Sequence, residues 1–332
     1  MKAIYEPGRE LCIDESMVLW RGRLIFRQYI KNKRHKYGIK LYVLTEPNGL
    51  VINFAVYAGV NDFDLGGVGH SKTVVLHLMQ DRLDLGHAVY MDNYYNSFDL
   101  SKELLDRKTY TTGTLRAKCK NTPSEVVETK LAHGEVTCYC ADGVAIGKWH
   151  DKSDVSFIST EHVLDMEECK NKRGETTMKP TAIVEYKYMK GVDRQDQMLA
   201  YYPVTRKTTR WYKKLGIHTI EMMVVNSYMM FKSHSGLQRL SLYDYRLCVV
   251  ERLLPPDYVS SNRGMRVDIQ PTPGMHFASR MPAAPSGRTL RKRCCLCLRK
   301  GKRKDTIFYC TKYPGQPGLC LGACFVQFHS VT

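Results

Sequence analysis

Asp193 and Asp196 stand three residues apart, just after Gly191 ends an extended segment and a helical pattern opens. On a helix that spacing projects both carboxylates from one face. Two earlier aspartates, Asp14 and Asp92, each belong to an apolar stretch that reads as a strand. Asp14, Asp92 and Asp193 therefore follow the order strand, strand, helix, at separations of 78 and 101 residues. Carboxylate oxygens are natural ligands of magnesium, or of manganese, ions that keep waters and also bind substrate phosphate. Two such ions about 4 Å apart can activate an attacking oxygen and stabilise a leaving one in phosphodiester chemistry. Taken alone, Asp92 reads as a cap or turn former, and the trio is one choice among many aspartates.

Past Asp196 comes a basic, aromatic run: Arg206, Lys207, Arg210, Trp211, Tyr212, Lys213 and Lys214. Arg206, Lys207 and Arg210 suit phosphate pairing and Trp211 suits base stacking, although Trp211 could equally be core. The whole chain agrees with a polyanionic partner, since 50 Lys+Arg against 33 Asp+Glu leave a net charge of +17 over 332 residues. A phosphate-loop reading of LGGVGHSKTVV fails because Ser71, not glycine, precedes Lys72, and no small-molecule substrate is expected. The opening MKAIYEPGRELC lacks the apolar stretch of a secretory signal, no apolar run is long enough to span a bilayer, and no membrane partner is expected.

Six of the twelve cysteines fall in residues 294–332, while the others are scattered. That clustering favours metal ligation over a disulfide scaffold. Cys294 and Cys297 form a C-x-x-C, followed by Cys310, by Cys320 and Cys324, and by His329. These types and spacings are typical of structural zinc, which a segment too small for its own core needs in order to fold. Arg291, Lys292, Arg293, Arg299, Lys300, Lys302, Arg303 and Lys304 surround them with no acid among residues 291–304, a pattern of nucleic-acid contact or nuclear import. Cys138 and Cys140 alternate along one strand and read as structural thiols.

The elements that must position these groups are those of an α/β fold. Residues 10–20 read as a strand with Asp14 at or near its end, and two β-rich runs split by Pro47-Asn48-Gly49 read as a hairpin. Together they predict an antiparallel start to a mixed sheet. A helix capped by Ser71 is expected to run to about Leu83 and end at Gly86. A buried strand then ends at Asp92, a helix starts near Ser97, and TYTTGTLRA is one more strand. Strand carboxyl ends are where active-site residues collect in open α/β sheets. From 118 to 179 the rhythm loosens into short strands, as in an insertion. TAIVEYKYM reads as a strand leading to the helix of Asp193, and LGIHTIEMMVVNSYMMFK as an apolar helix whose methionines and His218 are core. Six prolines between 255 and 290 mark a linker. The expected organisation is 1–117 core, 118–179 insertion, 180–254 core, 255–290 linker and 291–332 zinc finger.

Successive stretches carry a resemblance: RGRLIFRQYIKNKRHKYGIK after IDES, YMDNYYNS followed by GTLRA, WHDKSDVSFIST, and KGVDRQDQM with RKTTRW. In this order they resemble the motifs of piggyBac-type transposases, with the nearest likeness to piggyBac-derived cellular proteins. The resemblance implies a ribonuclease H-like core with a β-rich insertion, and a small cysteine-rich zinc finger at the carboxyl end. It puts Asp14, Asp92 and Asp193 at the three catalytic aspartate positions and Asp196 at a nearby acidic one. It further implies metal-dependent cut-and-paste chemistry on double-stranded DNA at TTAA-flanked transposon ends, and a nuclear location; a homodimer is left open. Only 13 residues precede Asp14, so the family's large amino-terminal dimerisation and DNA-binding region is expected to be absent. A domesticated DNA-binding protein without transposition is therefore the alternative to an active enzyme. The family's finger holds two zinc ions, and Tyr313 stands where one cysteine ligand belongs. One complete zinc site is expected, with Cys295 as a candidate substitute in the second.

Overall fold

The structure, a computed structural model, describes residues 5–31, 33, 35–117, 119–170, 174, 176–204, 206–235, 240–254, 276–284, 287–313 and 315–329. The chain divides into two units, Met1–Cys248 and Val249–Thr332.

In the first unit, β1 (Glu10–Leu19), β2 (Gln28–Tyr29), β3 (Tyr37–Thr45) and β4 (Val51–Val56) come before α1 (His70–Met79). Next are β5 (Ala88–Met91), α2 (Phe98–Asp106), β6 (Tyr110–Thr114) and α3 (Ser124–Glu128). The strands β7 (Val136–Ala141), β8 (Val144–His150), β9 (Asp154–Ser159), β10 (Met166–Lys170) and β11 (Thr176–Pro180) lead to α4 (Thr181–Tyr188), α5 (Gly191–Tyr201), α6 (Trp211–His234) and α7 (Leu242–Leu253). Among the described residues, the main sheet runs β2-β3-β1-β5-β6-β9-β8-β7, with β4 also paired to β3. β1 is antiparallel to β3 and parallel to β5, and β5 is parallel to β6. The sheet is therefore mixed, as the hairpin signal and the later strand–helix alternation predict.

Period-two alternation sends the two faces of the central strands into different layers. Leu11 and Ile13 of β1 and Tyr42 and Leu44 of β3 pack with Val74, Leu78, Leu100 and Leu104 of α1 and α2. Val18 and the β3 residues Ile39, Leu41 and Val43 pack on the other side with Val192 and Leu199 of α5 and Met222, Val225 and Met229 of α6. Met222, Val225, Asn226 and Met229 follow the spacing of one helical face. Asn226 accepts from the Val51 amide at 2.9 Å and donates to its carbonyl at 2.8 Å, satisfying backbone that β4 leaves unpaired at the sheet edge.

Several expectations need correction. Asp14 lies in the middle of β1, not at its end. The β-branched and aromatic residues of TAIVEYKYM form helix α4. Pro180, at φ −57°, has no amide proton to give a further ladder and suits a helix start. Tertiary contacts then hold the helix: Tyr186 and Met189 pack on Cys12 and Tyr90, and Glu185 accepts from the Tyr90 hydroxyl at 2.7 Å. The α1 N-cap is Gly69 and not Ser71, and the helix stops at Met79. Among the described residues of 118–179, β9 pairs with β6 and carries β8 and β7 onto the main sheet, and the hairpin β10–β11 pairs apart from it.

The second unit contains β12 (Ala278–Arg280), β13 (Lys292–Arg293), α8 (Cys295–Arg299), β14 (Asp305–Thr306), β15 (Phe308–Cys310) and α9 (Ala323–His329). Of the expected linker, residues 255–275, 285 and 286 lie outside the described ones. Residues 278–280 of it pair with β15 and belong to the folded tail. The tail's core is small, with Cys310, Tyr313, Leu319 and Phe328 buried and Cys295, Leu296 and Phe325 packed on them.

Candidate active site and metal centres

On β1, Cys12, Asp14, Ser16 and Val18 share the face turned toward α4, α5 and α6. Asp14 thus issues from a central strand, opposite Val43 of β3 and one residue past the β5 ladder. Asp92 follows β5 directly, and its Oδ1 accepts from the Tyr94 amide at 2.9 Å. Asn96 pins that turn by donating to the Met91 and Thr114 carbonyls, both at 2.9 Å. Asp193 sits in the first turn of α5, where the helix dipole favours negative charge. The helix can start there because residue 191 is glycine: a Cβ would lie 2.2 Å from the Glu46 carbonyl oxygen and 2.2 Å from Thr45 Oγ1.

Asp14, Asp92 and Asp193 line one cavity of about 160 Å³, together with Tyr90, Tyr186 and Lys190. Lys33 reaches the same cluster, with Nζ 3.3 Å from Asp14 and 4.0 Å from Asp193. Burial raises the Asp14 pKa to about 6, against the pull of the Lys33 ammonium, and Glu15 and Asp193 add to the rise. Burial also raises Asp92, opposed by the Tyr94 amide. The trio is nonetheless open: among the described residues, the groups of three or more ligand atoms within 4.8 Å of one another both lie in the tail.

Asp196 stands apart from that cavity. Its Oδ1 accepts from the Ser16 hydroxyl at 2.6 Å, and it lines a neighbouring cavity of about 220 Å³ with Lys33, Lys214, His218 and Glu221. Burial lifts its pKa to about 6. Burial likewise lowers His218 to about 4, with Lys214 and His35 adding to it, so this histidine is neutral in the fold. In the sequence Lys33 is one cation in a basic stretch; the fold brings it against Asp14, 19 residues before it, and Asp193, 160 residues after it.

Arg206, Lys207, Arg210 and Lys213 line a groove of about 620 Å³. Trp211 is half-buried against the α5–α6 side of the core and meets Phe26 edge-on at 5.3 Å. Of its two readings, the core one describes its surroundings. In the tail Arg291, Arg293, Lys302, Arg303 and Lys304 are exposed, and Lys292 donates to the Gln316 carbonyl at 2.9 Å.

The tail separates the six candidate zinc ligands into two groups. Cys294, Cys297, Cys320 and Cys324 bring their sulfurs within 4.8 Å of one another, an arrangement that could bind zinc. Burial raises the Cys294 thiol, but hydrogen bonds from the amides and thiols of Cys297 and Cys320 together more than offset this and leave it at about 7. Cys310 and His329 belong instead with His276. His276 falls in the proline-rich stretch, far from any cysteine spacing, so no local pattern marks it. Cys295 joins neither group and packs into the apolar cluster. Cys138 is half-buried and Cys140 exposed on β7, and among the described residues neither belongs to a group that could hold a metal.

Comparison with known proteins decides the family. A family model described as Transposase IS4 matches residues 1–228. The chain belongs to the piggyBac-type transposase family. It is 22% identical over 270 residues to human piggyBac transposable element-derived protein 2, covering 76% of this chain and 45% of that protein. It is 27% identical over 240 residues to human piggyBac transposable element-derived protein 3, covering 67% of this chain and 40% of that protein. The solved structure of a piggyBac transposase synaptic complex with hairpin DNA superposes with a TM-score of 0.66 at 25% identity, over 90% of this chain and 65% of that one. The chain spans less than half the length of those two human relatives. No helix among the described residues is long and apolar enough to cross a membrane.

Proposed function

We propose that the first unit is the ribonuclease H-like core of a DNA transposase that cuts and joins strands at transposon ends. In this reading Asp14, Asp92 and Asp193 are the carboxylates that hold divalent magnesium or manganese. Its main support is that three carboxylates so far apart in sequence line one cavity. The donor set fits a hard cation: oxygen ligands only, in a partly open site that leaves positions for waters and phosphate. Bound ions would supply the positive charge that activates the attacking oxygen and stabilises the leaving one. The chain's own residues do the positioning. Asp14 and Asp92 stand on or beside central strands, Asp193 is set by the Gly191 contact, and Asp196 is held by Ser16 as a supporting acid. Lys33 offsets part of the cluster's charge and can turn to a phosphate when a cation takes its place.

The partner in this reading is double-stranded DNA with TTAA-flanked ends. Its backbone follows the groove of Arg206, Lys207 and Arg210, which would fix position without reading sequence. The strands of 118–179 are an insertion that lengthens the sheet, and residues 291–332 are a finger held by zinc on Cys294, Cys297, Cys320 and Cys324. The exposed cations around it suit DNA contact and nuclear location. The Lys33 ion pairs favour a second reading, a transposase-derived DNA-binding protein, because a metal must displace an ammonium already in place. A cleavage assay separates the two. Duplex carrying TTAA-flanked ends should be nicked with magnesium or manganese, and Asp193→Asn should bind it but fall to background cutting. Equal nicking by the variant would remove the metal-site assignment, and binding without cleavage by the wild type would select the second reading.

A further inference from the structure

We infer that the cavity between α4 and the hairpin β10–β11 binds a nucleoside phosphate, either a free nucleotide or an unpaired residue of a DNA strand. It encloses about 450 Å³, the size of an ordinary small-ligand pocket. Two kinds of wall meet in it. Lys170, Lys179, Lys187 and Lys190 bring four ammonium groups against one carboxylate, Asp151. Among the described residues none of the four lysines makes an ion pair, and Asp151 lies 3.7 Å from His133 instead. Clustered like charges attract an anion. Val155 and Ile183 line the same cavity, so its occupant has an apolar part as well as a charge.

Trp149 supplies independent support. It lines this cavity while only 5% exposed, and its buried Nε1 has no hydrogen-bond partner among the described residues. An indole N–H can only donate, and a buried donor left unpaired is costly. A ring nitrogen or carbonyl of a nucleobase is the acceptor it lacks. Lys179 Nζ stands 5.5 Å from the centroid of the same ring, which puts the base and phosphate positions side by side. The fold builds the walls from separate elements: Trp149 pairs with Val155 across β8 and β9, β11 carries Lys179, and Ile183 and Lys187 lie one turn apart on α4. Tyr186 and Lys190 line both this cavity and the one of Asp14, Asp92 and Asp193. A strand whose phosphate reaches the aspartates can therefore seat a neighbouring unpaired nucleotide here. The DNA source rests on the transposase reading; the free nucleotide does not.

Calorimetric titration of the full chain, without divalent metal, tests the assignment with dAMP and inorganic phosphate as probes. Burial of the nucleoside should make dAMP bind roughly tenfold or more tighter than phosphate. Lys179→Gln with Lys187→Gln, both outside the core, should weaken dAMP by roughly tenfold or more. Trp149→Phe should weaken dAMP and leave phosphate binding unchanged. Two duplexes, one fully paired and one with a single unpaired adenosine, separate the sources. A wild-type preference for the second, lost in the double lysine variant and competed by dAMP, assigns the site to DNA. Binding of dAMP with no such preference assigns it to a free nucleotide. Phosphate binding as tightly as dAMP would overturn the proposal, as would dAMP affinity unchanged in the double lysine variant, or neither dAMP binding nor a preference between the duplexes. No strand is cut in these measurements, so they stand whether or not the aspartates are catalytic, and the lysine variant decides even if Trp149→Phe fails to fold.

Discussion

Asp196 shows what a carboxylate beside this site costs the fold. Burial raises its pKa from 3.8 to about 6, with the Ser16 hydrogen bond and Lys33 pulling the other way. The native state therefore holds the proton more tightly than the unfolded chain does. Between the unfolded and folded pKa values stability falls as pH rises, and above the folded value the full cost of a buried charge remains. A rise of this size corresponds to about 3 kcal/mol as an upper bound, since water and Lys33 relieve part of it. Asparagine keeps the acceptor that Ser16 needs and carries no charge. Asp196→Asn should thus unfold at higher denaturant than wild type near pH 7.5 and lose that advantage as pH falls through about 6 toward about 4. Denaturant titrations at both ends of the range check this, and a gap independent of pH would place the effect outside Asp196 ionisation.

Among the elements, α5 depends on one close approach. At Gly191 an added methyl would meet a backbone carbonyl, and backbone cannot swing aside as a long side chain can. Gly191→Ala should cost about 1–3 kcal/mol in stability through overpacking and push the first turn of α5, with Asp193, off β3. Manganese affinity, followed by calorimetry well below the melting temperature, should fall with it; a stability loss with unchanged affinity would mean that Asp193 is placed by other contacts. The start of α5 was legible because glycine followed by a helical period is a local signal. The hairpin at Pro47-Asn48-Gly49 was legible for the same reason. Helix α4 was not: its composition favours a strand, and what makes it helical is Pro180 at its start and long-range partners, Cys12, Tyr90 and His162. Asp14 could be assigned to a strand from alternation alone, but its central place depends on β5 pairing from the far side, 74 and more residues along the chain. Lys33 and His276 were invisible for a related reason, since neither has a local pattern and each meets its cluster through tertiary pairing.

At the scale of the whole molecule, a net charge of +17 says that a polyanion is attracted but not where it binds. Two places concentrate the charge: the groove of Arg206, Lys207, Arg210 and Lys213 in the first unit, and the exposed cations of residues 291–304 in the second. The groove side chains rise from the segment before α6 and from its first turn, and that helix packs on the sheet through Met222, Val225 and Met229. Each phosphate they neutralise releases condensed counterions, which makes affinity fall with salt in proportion to the number of contacts. Replacing Arg206, Lys207 and Arg210 together by glutamine should lower the slope of log affinity against log salt by roughly 2–3, at about 0.9 per lost contact. The weakening should be the same for TTAA-flanked and unrelated duplexes, because phosphate contacts carry no sequence information. Fluorescence anisotropy across a salt series reads both quantities. An unchanged slope would take the DNA path away from the groove, and a loss confined to TTAA-flanked duplex would make these side chains readers of sequence rather than of charge.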